Sequence, residues 1–140
     1  MELLHFRWLV DFGLVVLIVI VQMVIYPSFK FYEKHALEKW HAKYTSRIFY
    51  IVFPLMMAQL ILSVIMILSV QSLYTAASLL SIVVLFLLTF LIFVPMHNAI
   101  SKGKATTYLL RQLVRKNWLR TILWVLIFLW TSVELFPQWL

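Results

Sequence analysis

The sequence predicts an all-α fold: an integral membrane four-helix bundle with amphipathic cytoplasmic helical extensions. Three observations predict it. Hydrophobic residues make up 64% of the 140 residues and charged residues only 12%, against roughly 25% charged in a soluble domain. The mean hydropathy of +0.99 is more apolar surface than a chain of this size hides in its own interior. Four apolar runs also reach the roughly 20 residues that cross about 30 Å of hydrocarbon, and nearly all Lys and Arg fall in the two long segments between them.

The spans are read at about residues 8–26, 48–70, 74–94 and 118–136. None alternates polar and apolar residues over about ten positions, as barrel strands do. Helices satisfy every backbone polar group internally, as hydrocarbon demands. Gln71, Ser72 and Leu73 join spans two and three in a tight hairpin. Pro54 falls inside span two and predicts a kink. Pro27 and Pro95 mark the cytoplasmic ends of spans one and three, where the chain is expected to change direction. The first apolar stretch lacks a small-x-small cleavage site, so it reads as a retained helix. With two glycines, four prolines and no internal repeat, residues 1–140 read as a single transmembrane domain.

Charge sets the expected orientation. The first long segment holds Lys30, Lys34, Lys39, Lys43 and Arg47, and the second holds Lys102, Lys104, Arg111, Arg115 and Lys116. The hairpin and the tail hold no Lys or Arg, and only Arg7 precedes span one. The positive-inside rule puts both long segments in the cytoplasm and both termini outside, in a bacterial inner membrane. Trp8, Tyr26, Tyr50, Tyr74, Trp118 and Trp139 are expected at the two interfaces. The net charge of +7 thus reads as topological, with no nucleic-acid partner. The expected partners are the bilayer itself and anionic headgroups at the basic segments.

Both segments pattern as helices. Tyr32, Ala36, Trp40 and Tyr44 recur every four residues beside Leu37 and His41, opposite Lys30, Lys34 and Glu38. This helix lies on the membrane surface or stacks beneath span two. Tyr108, Leu109, Gln112 and Leu113 likewise oppose Arg111 and Arg115 ahead of span four.

The absence of cysteine excludes disulfides, thiolate metal sites and thiol redox chemistry. Polar side chains at membrane depth are then the functional candidates. Arg7 and Asp11, four residues apart, can pair, and with Glu134 they read as interfacial charges reaching water or each other. Gln59, Ser63, Ser81 and Thr89 read as helix-to-helix hydrogen bonds. A denser set lies at the cytoplasmic level: Gln22, Tyr26, His41, Arg47, Tyr50, His97, Asn98, Asn117, Trp118, Arg120 and Trp124. It is either an interface that ties helix ends together or a pocket built by all four helices. His41 and His97 are the candidate ligands for a haem or metal. No histidine pair has i,i+3 or i,i+4 spacing and no acid-rich set accompanies them. His5 and His35 are expected to be exposed.

Five short motifs carry a resemblance. They are QMVIYP at residues 22–27, WHAKYTSRI at 40–48, Pro54-Leu55-Met56, VPMH at 94–97 and NWLRTILW at 117–124. In this order they resemble a family of small bacterial four-helix membrane proteins, distantly similar to the anthrone oxygenase-like membrane proteins. The resemblance implies the four-helix layout and marks His97, Asn117, Trp118, Arg120 and Trp124. The chain departs from it at Ile25 and Tyr44, where members carry histidines. Tyr26-Pro27 also resembles the haem-dependent protoporphyrinogen oxidases, whose Trp-Leu-His-Lys start to the third helix is missing here.

Three functions follow. The first is a non-enzymatic membrane subunit or scaffold. The second is a membrane-embedded oxidoreductase or lipophilic-ligand-binding protein with a cytoplasmic-side pocket. There Arg120 would orient an anionic or carbonyl group of a quinone-like, polyketide-like or prenyl molecule. His97 would act as acid, base or ligand, and Tyr26, Tyr50 and Trp124 would wall the pocket. The third is a channel or transporter subunit, which requires a homo-oligomer.

Overall fold

The computed structural model describes residues 2–137. Its four long helical segments are α1 (Glu2–Phe31), α2 (Lys34–Ser69), α3 (Leu73–Ser101) and α4 (Thr107–Leu135), each long and apolar enough to cross a membrane. No strand occurs among the described residues. Short connections make neighbours antiparallel, and α4 returns to lie along α1. The ends of the bundle are distinguishable. The hairpin end carries residues 70–72, and the basic end carries the α1–α2 and α3–α4 connections. Trp139 lies outside the described residues.

Polarity in this bundle runs inside out. The buried set includes Arg7, Asp11, Gln22, His41, Gln59, Asn117, Arg120 and Thr131, while Phe6, Leu9, Phe12, Leu68, Leu80, Leu91 and Leu129 are exposed. A soluble bundle buries the second kind of residue and exposes the first. Helices surrounded by lipid gain nothing by hiding leucine, so polar groups become the contacts between them. An apolar layer of Leu14, Ile18, Ile82, Leu85 and Ile127 lies within the core.

Core-facing positions follow helical spacing of three and four: 37, 41 and 44 in α2, and 113, 117, 120, 124, 127 and 131 in α4. This corrects the stripe expected at Tyr32, Ala36, Trp40 and Tyr44. Steps of four advance about 400°, so such a stripe winds off the core, and Tyr32, Ala36 and Trp40 are exposed. Tyr108, expected on the inner face with Leu109, Gln112 and Leu113, is 72% exposed, because five residues before Leu113 place it about 140° around the helix. The extension at residues 34–47 is continuous with span two, so it stacks beneath that span and is not a separate surface helix.

Pro27 and Pro95 do not turn the chain. Each is preceded by one π-helical stretch, Val21–Ile25 and Thr89–Phe93, after which the helix continues. The Tyr26 amide donates to the Val21 carbonyl and the Val94 amide to the Thr89 carbonyl, five residues back. The cause is the next residue: a proline has no N–H, and its ring crowds the carbonyl four residues earlier. Widening that turn relieves the clash. Pro54 is exposed inside α2, which runs through it as uninterrupted α-helix.

The connections are closed by side chains and one glycine. Ser72 and Thr75 form a reciprocal capping box at the start of α3, which satisfies donors that the first turn leaves free. After α3, Lys104 N–H bonds Ala99 O and Gly103 N–H bonds Ile100 O, both at 3.0 Å, the pattern of a Schellman cap. Gly103 sits at φ +70, where L side chains are strained.

Candidate functional site

Polar residues meet in two layers of the core. On α1, Asp11 and Gln22 are eleven residues apart, as are Ser78 and Thr89 on α3 and Arg120 and Thr131 on α4. Eleven residues are about three turns and roughly 16 Å of rise, so each pair faces the same interior at two depths.

The layer near the hairpin end is an ion pair inside a cage of hydroxyls. Arg7 Nε donates to Asp11 Oδ1 at 2.8 Å, with both residues fully buried. The Arg7 guanidinium also donates to Ser63 Oγ and, at 2.8 Å, to Ser78 Oγ. Asp11 accepts from Gln59 Nε2 at 2.6 Å and from Thr131 Oγ1 at 2.7 Å. Tyr74 Oη lies 2.9 Å from Thr131 Oγ1, and Trp124 Nε1 donates to Gln59 Oε1 at 3.2 Å. All four helices contribute. Arg7 and Asp11 therefore pair as expected but do not reach water, because three other helices supply the partners that water would have. Tyr74, the second residue of α3, is buried within this set at the hairpin end. Glu134 is exposed and accepts from Trp130 Nε1 at 3.2 Å.

The layer near the basic end brings together six of the residues expected there. The π stretch of α1 places Gln22 inward and is followed by Tyr26. The π stretch of α3 places Phe93 inward, one turn before His97. Arg120 Nη2 donates to Tyr26 Oη at 3.0 Å and to Asn117 Oδ1 at 2.5 Å, and Arg120 Nε also reaches Asn117 Oδ1 at 2.9 Å. Asn117 Nδ2 donates to Gln22 Oε1 at 2.8 Å, and Gln22 Nε2 to the Val114 carbonyl at 3.2 Å. The guanidinium lies 3.6 Å over the Phe93 ring, a cation–π contact. Phe93 is a contact of Arg120 that sequence reading missed, whereas Thr89, whose hydroxyl is 3.5 Å from Arg120 Nη1, makes a helix-to-helix contact of the kind expected of it.

From Tyr26 a second arm runs back toward the basic end. His97 Nε2 lies 2.8 Å from Tyr26 Oη, His97 Nδ1 lies 2.8 Å from His41 Nε2, and His41 Nδ1 lies 2.8 Å from Ser101 Oγ. The donor and acceptor roles depend on the histidine tautomers, and two assignments satisfy all three bonds: every hydrogen directed toward Tyr26, or every hydrogen directed toward Ser101. Arg120 only donates, so one lone pair of Tyr26 Oη is taken. With His97 Nε2–H donating to the other, the phenolic hydrogen is left for a third partner. If that hydrogen leaves, each member of the chain can pass one proton along, and Ser101 takes the replacement. The arm can thus run in either direction, which is what a proton relay requires.

A cavity of about 200 Å³ adjoins these groups, lined by Tyr26, Tyr44, Phe93, His97, Arg120 and Trp124 among others. For scale, a cavity of about 150 Å³ holds benzene, so this one admits one ring-sized group. Its lining includes exposed Phe49, Val94 and Asn98, which puts its mouth between α2 and α3 on the side of the bundle. Asn98 therefore sits at the mouth. Trp118 is 46% exposed and lines a different cleft. Arg47 and Tyr50 are exposed and line none of these cavities. Each follows a core residue, His41 or Tyr44, by six positions, about 240° around the helix.

The two histidines do not suit a haem or metal. Their rings stack at 4.9 Å between centroids with all four nitrogens engaged. An ion between them would have to break the bond that joins them. No group of three His, Cys, Asp or Glu suited to a metal occurs among the described residues.

Electrostatics separates the two layers. Arg7 has a carboxylate. Among the described residues, none lies within salt-bridge distance of Arg120, which is nonetheless buried. An uncompensated buried cation is costly, and neutral oxygens and a ring face offset only part of that cost. An anion or electron-rich oxygen arriving in the cavity would complete it. No family model, curated protein or solved structure matches the chain.

Proposed function

We propose that this chain is a membrane-embedded binding protein for a lipophilic small molecule, held through a carbonyl, phenolic or carboxylate oxygen. The oxygen meets Arg120 and Tyr26, and the apolar remainder lies against Phe93, Val52 and Trp124. Tyr26 gives a proton to the bound oxygen, and His97, His41 and partly exposed Ser101 each pass one proton along so that the replacement comes from water at the basic end. The observation that carries this reading is Arg120: a buried guanidinium with no carboxylate partner among the described residues, on the wall of an apolar cavity whose mouth faces sideways. A lateral mouth suits a ligand that arrives through the bilayer. The motif resemblance to anthrone oxygenase-like proteins is part of the same proposal.

In this reading the basic end faces the cytoplasm of a bacterial inner membrane, at the depth of anionic headgroups, with both termini outside. Calorimetry on the purified chain with ubiquinone-1 and with decanoate tests the site. Saturable one-to-one binding of either is expected, weakened at least tenfold (about 1.4 kcal/mol) by Arg120→Gln. Absence of binding by both probes, or equal binding by the variant, rejects the proposal.

The scaffold reading keeps one observation of its own: among the described residues every buried side-chain polar atom has a partner. It makes Arg120 a strut between helices, and it expects Arg120→Gln to lower stability with no effect on any ligand. A channel reading draws less support, because the two polar layers are roughly 16 Å apart, with Leu14, Ile18, Ile82 and Leu85 in the buried core.

A further inference from the structure

We propose that the cleft between the α1–α2 connection and the start of α4 is a second binding site, for a multiply charged phosphate group. It does not depend on what occupies the inner cavity. The cleft measures about 730 Å³ and is lined by Lys30 and Lys34 on one side and Arg111 and Arg115 on the other. All four are exposed. Among the described residues no carboxylate lies within salt-bridge distance of any of them, although Glu33 and Glu38 are close in sequence. Lys30 Nζ instead sits 4.9 Å from the Phe31 ring.

Arg111 and Arg115 are four residues apart on α4, a like-charge spacing that disfavours a helix. Two lysines from another part of the chain face the same space. Four converging cations without a counter-charge are unfavourable together and are relieved by an anion. The starts of α2 and α4 also line the cleft, at Lys34 and Thr107, and add the partial positive charge of helix amino termini. A phosphate monoester or diphosphate brings about two charges, whereas a phosphodiester brings one, so the cleft discriminates in favour of the former.

Its remaining walls are apolar, with Phe29, Leu110 and Trp118 among them. They suit a phosphate attached to a greasy carrier. A lipid headgroup and a soluble phosphate compound share the chemistry that the four cations recognise, and the experiment separates them.

The purified full-length chain is titrated with inorganic pyrophosphate by calorimetry. Its adducts with dioleoyl phosphatidic acid and dioleoyl phosphatidylglycerol are compared by native mass spectrometry. Saturable binding of pyrophosphate alone assigns a soluble phosphate compound. Binding of phosphatidic acid, at least tenfold tighter than phosphatidylglycerol, assigns a lipid headgroup. In either case Arg111→Gln with Arg115→Gln weakens binding tenfold or more. Lys39→Gln with Lys43→Gln removes equal charge from exposed positions outside the cleft and has less than a threefold effect. The site is overturned if neither probe binds, if phosphatidylglycerol binds as well as phosphatidic acid, or if both variant pairs weaken binding equally.

Discussion

Arg7 and Arg120 are both buried in this bundle, and the groups around them differ. Arg7 is neutralised by Asp11 within a shell of hydroxyls and Gln59. Removing one member of a buried pair leaves the other charge uncompensated, at a cost of about 3–5 kcal/mol, whereas replacing both with apolar residues is far milder. Asp11→Ala should therefore lower unfolding stability by about that amount, and Arg7→Met with Asp11→Leu by much less, as measured by thermal unfolding in detergent. Equal damage from the single and double variants would mean that the pair is not the unit. The relay makes a different residue-level prediction. Tyr26→Phe should change the ¹⁵N chemical shifts of both His97 and His41, although only His97 touches Tyr26. A shift confined to His97 would break the chain at the histidine pair.

Segments α1 and α3 each carry a π stretch immediately before the dipeptide that contains proline, and both stretches border the basic-end site. π turns are rare and favour functional positions. Here they set the rotation at which Tyr26 and His97 enter the core. Pro95→Ala restores an N–H that can bond Leu91 O and lets the turn tighten, which rotates His97 away from Tyr26. Ligand binding should then fall tenfold or more while helix content by circular dichroism stays constant. At the other kind of boundary, Gly103→Ala places a side chain at φ +70, with its Cβ 2.9 Å from Glu38 Oε2. A loss of about 1 kcal/mol in unfolding stability is expected.

Much of this organisation is legible in the sequence, but not all of it. The four spans follow from apolar length, and the eleven-residue recurrences that stack two polar layers can be counted along the chain. The basic-end residues Gln22, Tyr26, His41, His97, Asn117 and Arg120 all fall within the larger set that depth picks out. Three things are not legible. The π stretches break the 3.6-residue period that face assignments assume, so Pro27 and Pro95 look like ends. The burial of Arg7 depends on Ser63 and Ser78, hydroxyls on two other helices; Ser63 reads as a helix-to-helix bond, but nothing in one dimension names Arg7 as its partner. Arg47 and Tyr50 lie at the right depth but on the wrong face, and depth carries no azimuth.

On the scale of the whole molecule, a polar interior and an apolar exterior make the bilayer the natural surroundings. The proposed sidedness has a clean test because the chain holds no cysteine. In intact cells a membrane-impermeant maleimide should label Gln71→Cys in the hairpin and spare Lys104→Cys. The opposite pattern would invert the bundle. Arg120 is proposed to hold a ligand and not merely to serve as a strut. Wild-type and Arg120→Gln chains, purified side by side from their native membrane, are to be extracted and compared by mass spectrometry. An oxygen-bearing lipophile should be enriched on the wild-type chain and depleted from the folded variant. Identical small-molecule extracts from the two would contradict it.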